Sequence, residues 1–179
     1  EQKAAELVRR HSSMPIVCAY HLFHDRNVIQ RGASALLNAR LLPVIDGFLK
    51  AVRSSMQLRN LNYPVVIMRS DGSLMNETYA LNHPVETLLC GPAASVMGGA
   101  YLGHYPKSVI IDMGGTTSDI ALVKDHLPVR ADNGIQIGSW RTFVKGLYVD
   151  TFGLGGDSEI CYQENNLFLS DRRVMPLCI

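Results

Sequence analysis

Apolar residues recur at three- and four-residue steps along one stretch of the chain. Leu41, Ile45, Phe48, Leu49, Val52 and Met56 fall on one helical face, and the pattern predicts a long helix from Ala33 to Leu58. Pro43 has no amide hydrogen to donate and is expected to start or kink that helix. The apolar run Ile16–Tyr20 reads as a buried strand, and Tyr63–Met68 reads as a second strand. The second is closed by the turn residues Ser70, Asp71, Gly72 and Ser73. Val85–Leu89 reads as a short extended run that ends at Gly91-Pro92. Pro92 suits the first turn of a helix, and a helix Pro92–Leu102 is expected to follow. It carries Ala93, Ala94, Ser95, Gly98, Gly99 and Ala100. Each of its glycines would weaken an isolated helix by about 1 kcal/mol, so another element should pack closely against it.

From about Lys107 the pattern changes to short apolar runs separated by glycine-rich turns. Ser108–Asp112 and Asp119–Val123 read as strands on either side of Met113-Gly114-Gly115-Thr116-Thr117-Ser118, and the short connection suggests an antiparallel hairpin. Thr151–Ser158 is a second glycine-rich turn. Glu159–Leu169 reads as a hairpin around Glu164-Asn165-Asn166. The expectation is an α/β protein, with a helical first half leading into a strand-rich second half.

Bulk properties narrow the function classes. At 179 residues the chain has roughly the length of one domain. A net charge of +1 gives no basic footprint for nucleic acid. No apolar run approaches the roughly 18 residues of a membrane span. Cys18, Cys90, Cys161 and Cys178 are scattered, which suits reduced thiols in a cytoplasmic protein. The start at Glu1 and the stop at Ile179 read as the ends of an excised segment.

The densest chemistry lies in Asp112-x-Gly114-Gly115-Thr116-Thr117-x-Asp119. Glycines let a backbone approach a ligand closely, and consecutive N–H groups form a concave anion nest. Thr116 and Thr117 add hydroxyls. Asp112, at the end of a strand, is a hard oxygen ligand for Mg²⁺, and Asp119 could orient the metal shell or an attacking group. A plain hairpin turn would use the same glycines and threonines. Other residues weigh less. His21 and His24 with Asp25 could be metal ligands, but surface histidines explain them better. Cys90 reads as a small buried hydrophobe and Trp140 as a packed core aromatic. Arg172-Arg173 reads as a solvated turn, with phosphate binding a remote alternative. Glu86 and Asp157 are the next carboxylates to consider as general bases.

Taken in order, these pieces resemble a known family. Val66–Gly72, Pro84–Ala94 and Asp112–Ala121, with Asn38-Ala39 and Gly153-Leu154-Gly155-Gly156-Asp157-Ser158, look like the core of the hydantoinase A/5-oxoprolinase family. The resemblance runs from about Ser12 to the end. It implies a partial actin-like ATPase (ribonuclease H-like) fold with a mixed sheet. Residues 1–105 would end a first lobe and include its connecting helix; residues 106–179 would start a second nucleotide-binding lobe. It implies ATP and Mg²⁺ as cofactors. Gly114, Gly115, Thr116 and Thr117 would cradle phosphate. Asp112 and Asp119 would be catalytic, with Asp112 on the metal. Gly155, Gly156 and Ser158 would line the nucleotide side of the second lobe. The substrate would be a cyclic amide or a ketone, activated by phosphorylation. A hydantoinase B-type subunit or domain would be the partner, and a homodimer could cover bare surfaces. An acetone/acetophenone carboxylase-type subunit and an Hsp70-like switch remain the alternatives. The chain departs from the family in lacking a first Asp-x-Gly-Gly-Thr loop before residue 112, and in Cys90 and Asp71, where Ser and Asn are common. The resemblance therefore implies weak or no ATP binding by this segment alone.

Overall fold

A computed structural model describes residues 1–131 and 133–175; Cys178 lies outside them. In chain order the helices of the first part are α1 (Gln2–His11), α2 (Ala19–Leu22), α3 (Val28–Leu58), α4 (Glu77–Asn82) and α5 (Cys90–Gly103). Two short strands, β1 (Val66–Met68) and β2 (Leu74–Asn76), precede α4, and a 3-10 turn, Pro84–Thr87, follows it. The strands after α5 are β3 (Lys107–Met113), β4 (Ser118–Lys124), β5 (Leu127–Pro128), β6 (Arg130–Ala131), β7 (Gln136–Ile137) and β8 (Trp140–Arg141). They continue with β9 (Gly146–Leu147), β10 (Val149–Phe152), β11 (Ser158–Gln163) and β12 (Asn166–Arg173). Every pairing between described strands is antiparallel, so the parallel pairings of a mixed sheet are absent among the described residues. No helix among them is long and apolar enough to cross a membrane.

The chain forms two compact units that do not follow the 1–105/106–179 division. One comprises Glu1–Ala93 with Arg130–Leu147; the other comprises Ala94–Val129 with Tyr148–Ile179. The boundary falls inside α5.

The first unit is built on α3. Asn27 caps this helix by accepting from the amides of Ile29 at 3.1 Å and Gln30 at 3.2 Å. The helix therefore begins at Val28, and it runs through Pro43 rather than starting there. Proline is tolerated because Pro43 and Ala39 are both exposed, so water can satisfy the carbonyl that the ring deprives of a donor. Ile45 and Leu49 of the expected apolar face are buried, but Phe48 is 56% exposed. Phe23, Val85, Ile135 and Val144 form the buried core. The segment 133–144 is held on α3 by hydrogen bonds as well. Ser34 Oγ donates to the Gln30 carbonyl at 2.7 Å and accepts from the Phe143 amide at 3.0 Å. This docking places Arg130–Leu147 in the first unit.

Three expectations fail in this unit. Ile16–Tyr20 is not a strand. No strand lies alongside it among the described residues, and the chain turns instead into α2, with the His21 amide donating to the Cys18 carbonyl at 3.1 Å. Val85–Leu89 is not extended. Pro84 starts a 3-10 turn, closed by Thr87 Oγ1 donating to the Pro84 carbonyl at 2.7 Å. Trp140 is 56% exposed and is not a core aromatic.

Asn38 is 1% exposed on α3. Its Nδ2 donates to the Asn82 carbonyl at 3.1 Å, and its Oδ1 accepts from the Val85 amide at 3.1 Å. Nearby, Arg69 Nη2 donates to Glu86 Oε2 at 2.9 Å. Burial works to lower the Arg69 pKa, but the Glu86 hydrogen bond and the charges of Glu86 and Asp71 outweigh it and hold it above the usual value. Burial likewise works to raise Asp71. Hydrogen bonds from the Ser73 hydroxyl and amide, with the charges of Arg69 and Arg130, prevail and hold its carboxyl below the usual range.

The second unit contains the sheet β10-β4-β3, with β5 also paired to β4. The β3–β4 register sets Asp112 opposite Asp119. The expected close packing on α5 is present at Gly99, where an added Cβ would lie 3.1 Å from Ile110 side-chain carbons. β11 and β12 pair as the expected hairpin, turned by Glu164 and Asn165, both at positive φ. The glycine turns 113–118 and 153–158 are joined through their backbones. An added Cβ at Gly155 would lie 2.5 Å from Gly115 C and O and from Thr116 N, whereas at Gly156 the nearest atom would be 3.9 Å away.

Three stability outcomes follow. Asn38→Leu strands the Val85 amide and the Asn82 carbonyl and should cost on the order of 2–4 kcal/mol in urea unfolding. Asp71→Asn removes stability that is present above an unfolded carboxyl pKa of about 3.9 and is lost as pH falls through the lower folded value. The variant's urea midpoint should be lower at neutral pH and flatter across the acid limb. Gly155→Ala must push two backbones apart and should melt well below the parent, whereas Gly156→Ala should melt close to it.

Candidate functional site

The two glycine turns form the centre of the site, and most of their geometry is backbone. The Gly114 amide donates to the Thr117 carbonyl at 2.9 Å and closes the first turn. The Gly156 amide donates to the Gly114 carbonyl at 2.9 Å, and the Asp157 amide to the Gly115 carbonyl at 2.7 Å. Ser158 Oγ accepts from the Gly155 amide at 3.0 Å, and Ser118 Oγ donates to the Leu154 carbonyl at 2.6 Å. The amides of Gly115, Thr116 and Thr117 have no acceptor among the described residues. They are three consecutive donors on a turn where Gly115 and Thr116 are exposed.

The geometry divides the residues singled out from sequence. Gly115, Thr116 and Thr117 keep donors available for an anion. Gly114 spends its N–H closing the turn. Gly155 is buried against the first turn, and Gly156 spends its N–H on it. Ser158 holds the Gly155 amide through its hydroxyl. This second set builds the first turn's shape from behind.

Asp112 and Asp119 face each other across β3 and β4 and are both half-buried. Like charges placed directly opposite are unfavourable, and a bound cation relieves that repulsion. Asp119 Oδ1 also accepts from Thr151 Oγ1 at 2.6 Å. That orienting hydroxyl was missed by the sequence reading; only the β10–β4 register reveals it. No group of three or more His, Cys, Asp or Glu side chains suited to a metal occurs among the described residues. Two carboxylates with water and phosphate oxygens are a donor set that fits Mg²⁺, which seldom sits in an all-protein cage.

A groove of about 160 Å³ opens beside the first turn, lined in part by Gly115, Thr116, Asp157, Ser158, Arg172 and Arg173. The arginines are exposed, as expected, but lie at the end of β12 and not in a turn. The β11–β12 register sets Arg173 opposite Ser158. Asp157 lies against Gly115, where an added Cβ would meet Asp157 Oδ2 at 2.8 Å. Glu86, the other carboxylate considered as a base, is committed to Arg69 in the first unit. His21 and His24 are exposed there, and the His21 ring lies tilted at 58° to that of Tyr20 with ring centroids 4.0 Å apart. Cys90 is half-buried with a free thiol.

Known proteins resemble this chain in sequence and fold. The chain is 27% identical over 142 residues to an uncharacterized protein of Methanocaldococcus jannaschii, covering 77% of this chain and 21% of that protein. It is 25% identical over 162 residues to the caprolactamase alpha subunit of Pseudomonas jessenii, covering 88% of this chain and 23% of the subunit. It is 28% identical over 172 residues to 5-oxoprolinase 1 of Arabidopsis thaliana, covering 91% and 13%. The chain thus spans less than a quarter of the length of these relatives. Among solved structures, the ATP-dependent caprolactamase of Pseudomonas jessenii superposes with a TM-score of 0.76 at 23% identity, over 97% of this chain and 26% of that one. Nucleotide-free acetone carboxylase gives 0.71 at 17% identity, over 95% and 24%. At such identities the likeness establishes a shared fold with mixed helix and sheet content. The hydantoinase/oxoprolinase family model matches residues 31–172, most of the sequence and both glycine turns, and the chain belongs to that family.

Proposed function

We propose that this chain is the phosphate-binding section of an ATP-dependent subunit that activates a cyclic amide for hydrolysis. The observation that carries the reading is the run of three unpartnered amides at Gly115, Thr116 and Thr117 beside the opposed carboxylates of Asp112 and Asp119. Consecutive amides with a carboxylate-held cation are what a phosphate chain requires. Two relatives are named for cyclic amides, a caprolactamase and a 5-oxoprolinase, which favours an amide over a ketone as substrate. The actin-like ATPase description belongs to this proposal.

In this reading Gly115, Thr116 and Thr117 donate to phosphate oxygens. Asp112 and Asp119 hold Mg²⁺, and Thr151 fixes the Asp119 carboxylate. Ser158, Gly155 and Gly156 keep the first turn in shape. ATP, when bound, supplies the phosphoryl group that makes the amide carbonyl susceptible to water. The protein's part in such a transfer is mostly positioning and charge stabilisation. The caprolactamase relative is an alpha subunit, which supports a further subunit of the hydantoinase B type as partner.

Calorimetric titration with Mg·ATP tests this. The chain should give a weak, saturable heat, and Asp112→Ala should weaken binding at least about tenfold, equivalent to about 1.4 kcal/mol. Equal affinity in the two proteins would place the nucleotide away from Asp112. A folded chain silent at millimolar Mg·ATP would leave the turn without its assigned ligand.

A further inference from the structure

Arg172 and Arg173 end β12 where the hairpin returns to the second glycine turn. Their position is fixed by pairing. Ser158 is registered with Arg173, and the Val174 amide donates to the Asp157 carbonyl at 2.9 Å. Arg173 has no ion pair among the described residues, and Arg172 has only a 3.9 Å approach from its Nε to Glu159 Oε2, with its side chain 83% exposed. Both line the groove that also holds Gly115, Thr116 and the carboxylates of Asp157 and Asp171.

The groove therefore carries two cationic and two anionic side chains beside Gly115 and Thr116, whose amides have no acceptor among the described residues. A bare anion would meet the Asp157 carboxylate that lies against Gly115; a bare cation would meet the guanidinium groups. A phosphate chain carrying its own divalent cation satisfies both signs. Guanidinium forks match phosphate oxygens bidentately, which an ammonium cannot do. We propose that Arg173, with Arg172 beside it, is a phosphate-binding residue of this groove, specific for metal-complexed polyphosphate. The proposal rests on the phosphate-binding reading of the turn and adds residues from a strand outside it.

Binding of Mg·tripolyphosphate and of Mg·ATP to the chain, measured by calorimetry for the parent, Arg173→Gln, Arg173→Lys and the double variant Arg172→Gln/Arg173→Gln, is the test. Both arginines are exposed, so the variants should keep the parent's circular dichroism. The expected result is about tenfold weaker binding of both probes by Arg173→Gln, a larger loss in the double variant, and only partial recovery in Arg173→Lys. Parent-like affinity in Arg173→Gln overturns the proposal and leaves the nucleotide reading standing on Asp112. An Arg173-dependent site that takes Mg·tripolyphosphate and refuses Mg·ATP supports the proposal and removes the nucleotide reading. A parent that binds neither probe overturns the proposal.

Discussion

The site depends on two backbone hydrogen bonds, from Gly156 N–H to the Gly114 carbonyl and from Asp157 N–H to the Gly115 carbonyl. They let one glycine turn act as the scaffold of another. An amide spent on a protein carbonyl has nothing to offer a phosphate, so the clasp decides which donors remain. It leaves Gly115, Thr116 and Thr117. It also turns the Gly114 and Gly115 carbonyls back toward the second turn, where their negative ends would otherwise face an incoming anion. The approach is so close that Gly155 cannot carry a side chain, because its missing Cβ is occupied by Gly115 and Thr116 backbone atoms. Here the glycine is required by contact and not by an unusual dihedral angle.

The first unit is organised by a different device, a buried polar knot. The Ser70 amide donates to the Glu86 carbonyl at 2.9 Å, and the Ser70 hydroxyl shares its proton between the carbonyls of Glu86 and Leu88. The Ser70 carbonyl accepts from the Leu147 amide at 2.9 Å. One 2%-exposed serine thus ties the β1–β2 turn to the 3-10 turn and to β9. Gly146 lets β9 come in: a Cβ there would fall 2.1 Å from Ile135 Cγ2. The Arg69–Glu86 pair lies alongside, and among these buried polar groups Arg69 Nε alone of the described side-chain atoms here has no partner. Arg69, Ser70, Glu86 and Leu88 lie in the motif stretches Val66–Gly72 and Pro84–Ala94. Glu86 is a structural carboxylate, committed to Arg69.

Much of this was legible in the sequence. The two glycine turns, the β3–β4 hairpin and the small-residue helix follow from local pattern and spacing. Long-range partners did not. Whether Ile16–Tyr20 becomes a strand depends on a neighbour that the local sequence does not specify, and none is there. Pro84 signalled the 3-10 turn, but the apolar run beyond it carried the weight instead. Trp140 looked like a core residue by type alone, and its exposure is set by where the β7–β8 hairpin lies on α3. Gly155 and Gly156 were expected to line the nucleotide side, and their contacts are with the first turn. A glycine motif does not say whether its backbone faces a ligand or another backbone.

Arg173 shows the limit most sharply. Counting outward from the Glu164-Asn165 turn pairs Gln163 with Asn166 and Ile160 with Leu169, and the same count would put Asp171 opposite Ser158. A register shift between Ser158 and Ile160 changes the partner to Arg173. An irregularity of this kind re-aims side chains at the end of a ladder, and here it sets a guanidinium opposite Ser158 where the unshifted count would set a carboxylate. A two-stranded hairpin is marginally stable by itself, and Ile160, Tyr162, Leu167, Phe168 and Leu169 of this one are all exposed. Its anchorage is at its base, through the Ser158 amide to the Gly155 carbonyl at 3.0 Å and the Val174 amide to the Asp157 carbonyl. Those contacts belong to the same second turn that clasps the first. The position of the guanidinium group and the openness of the three amides therefore have one physical origin, and any change that loosens the second turn should disturb both together.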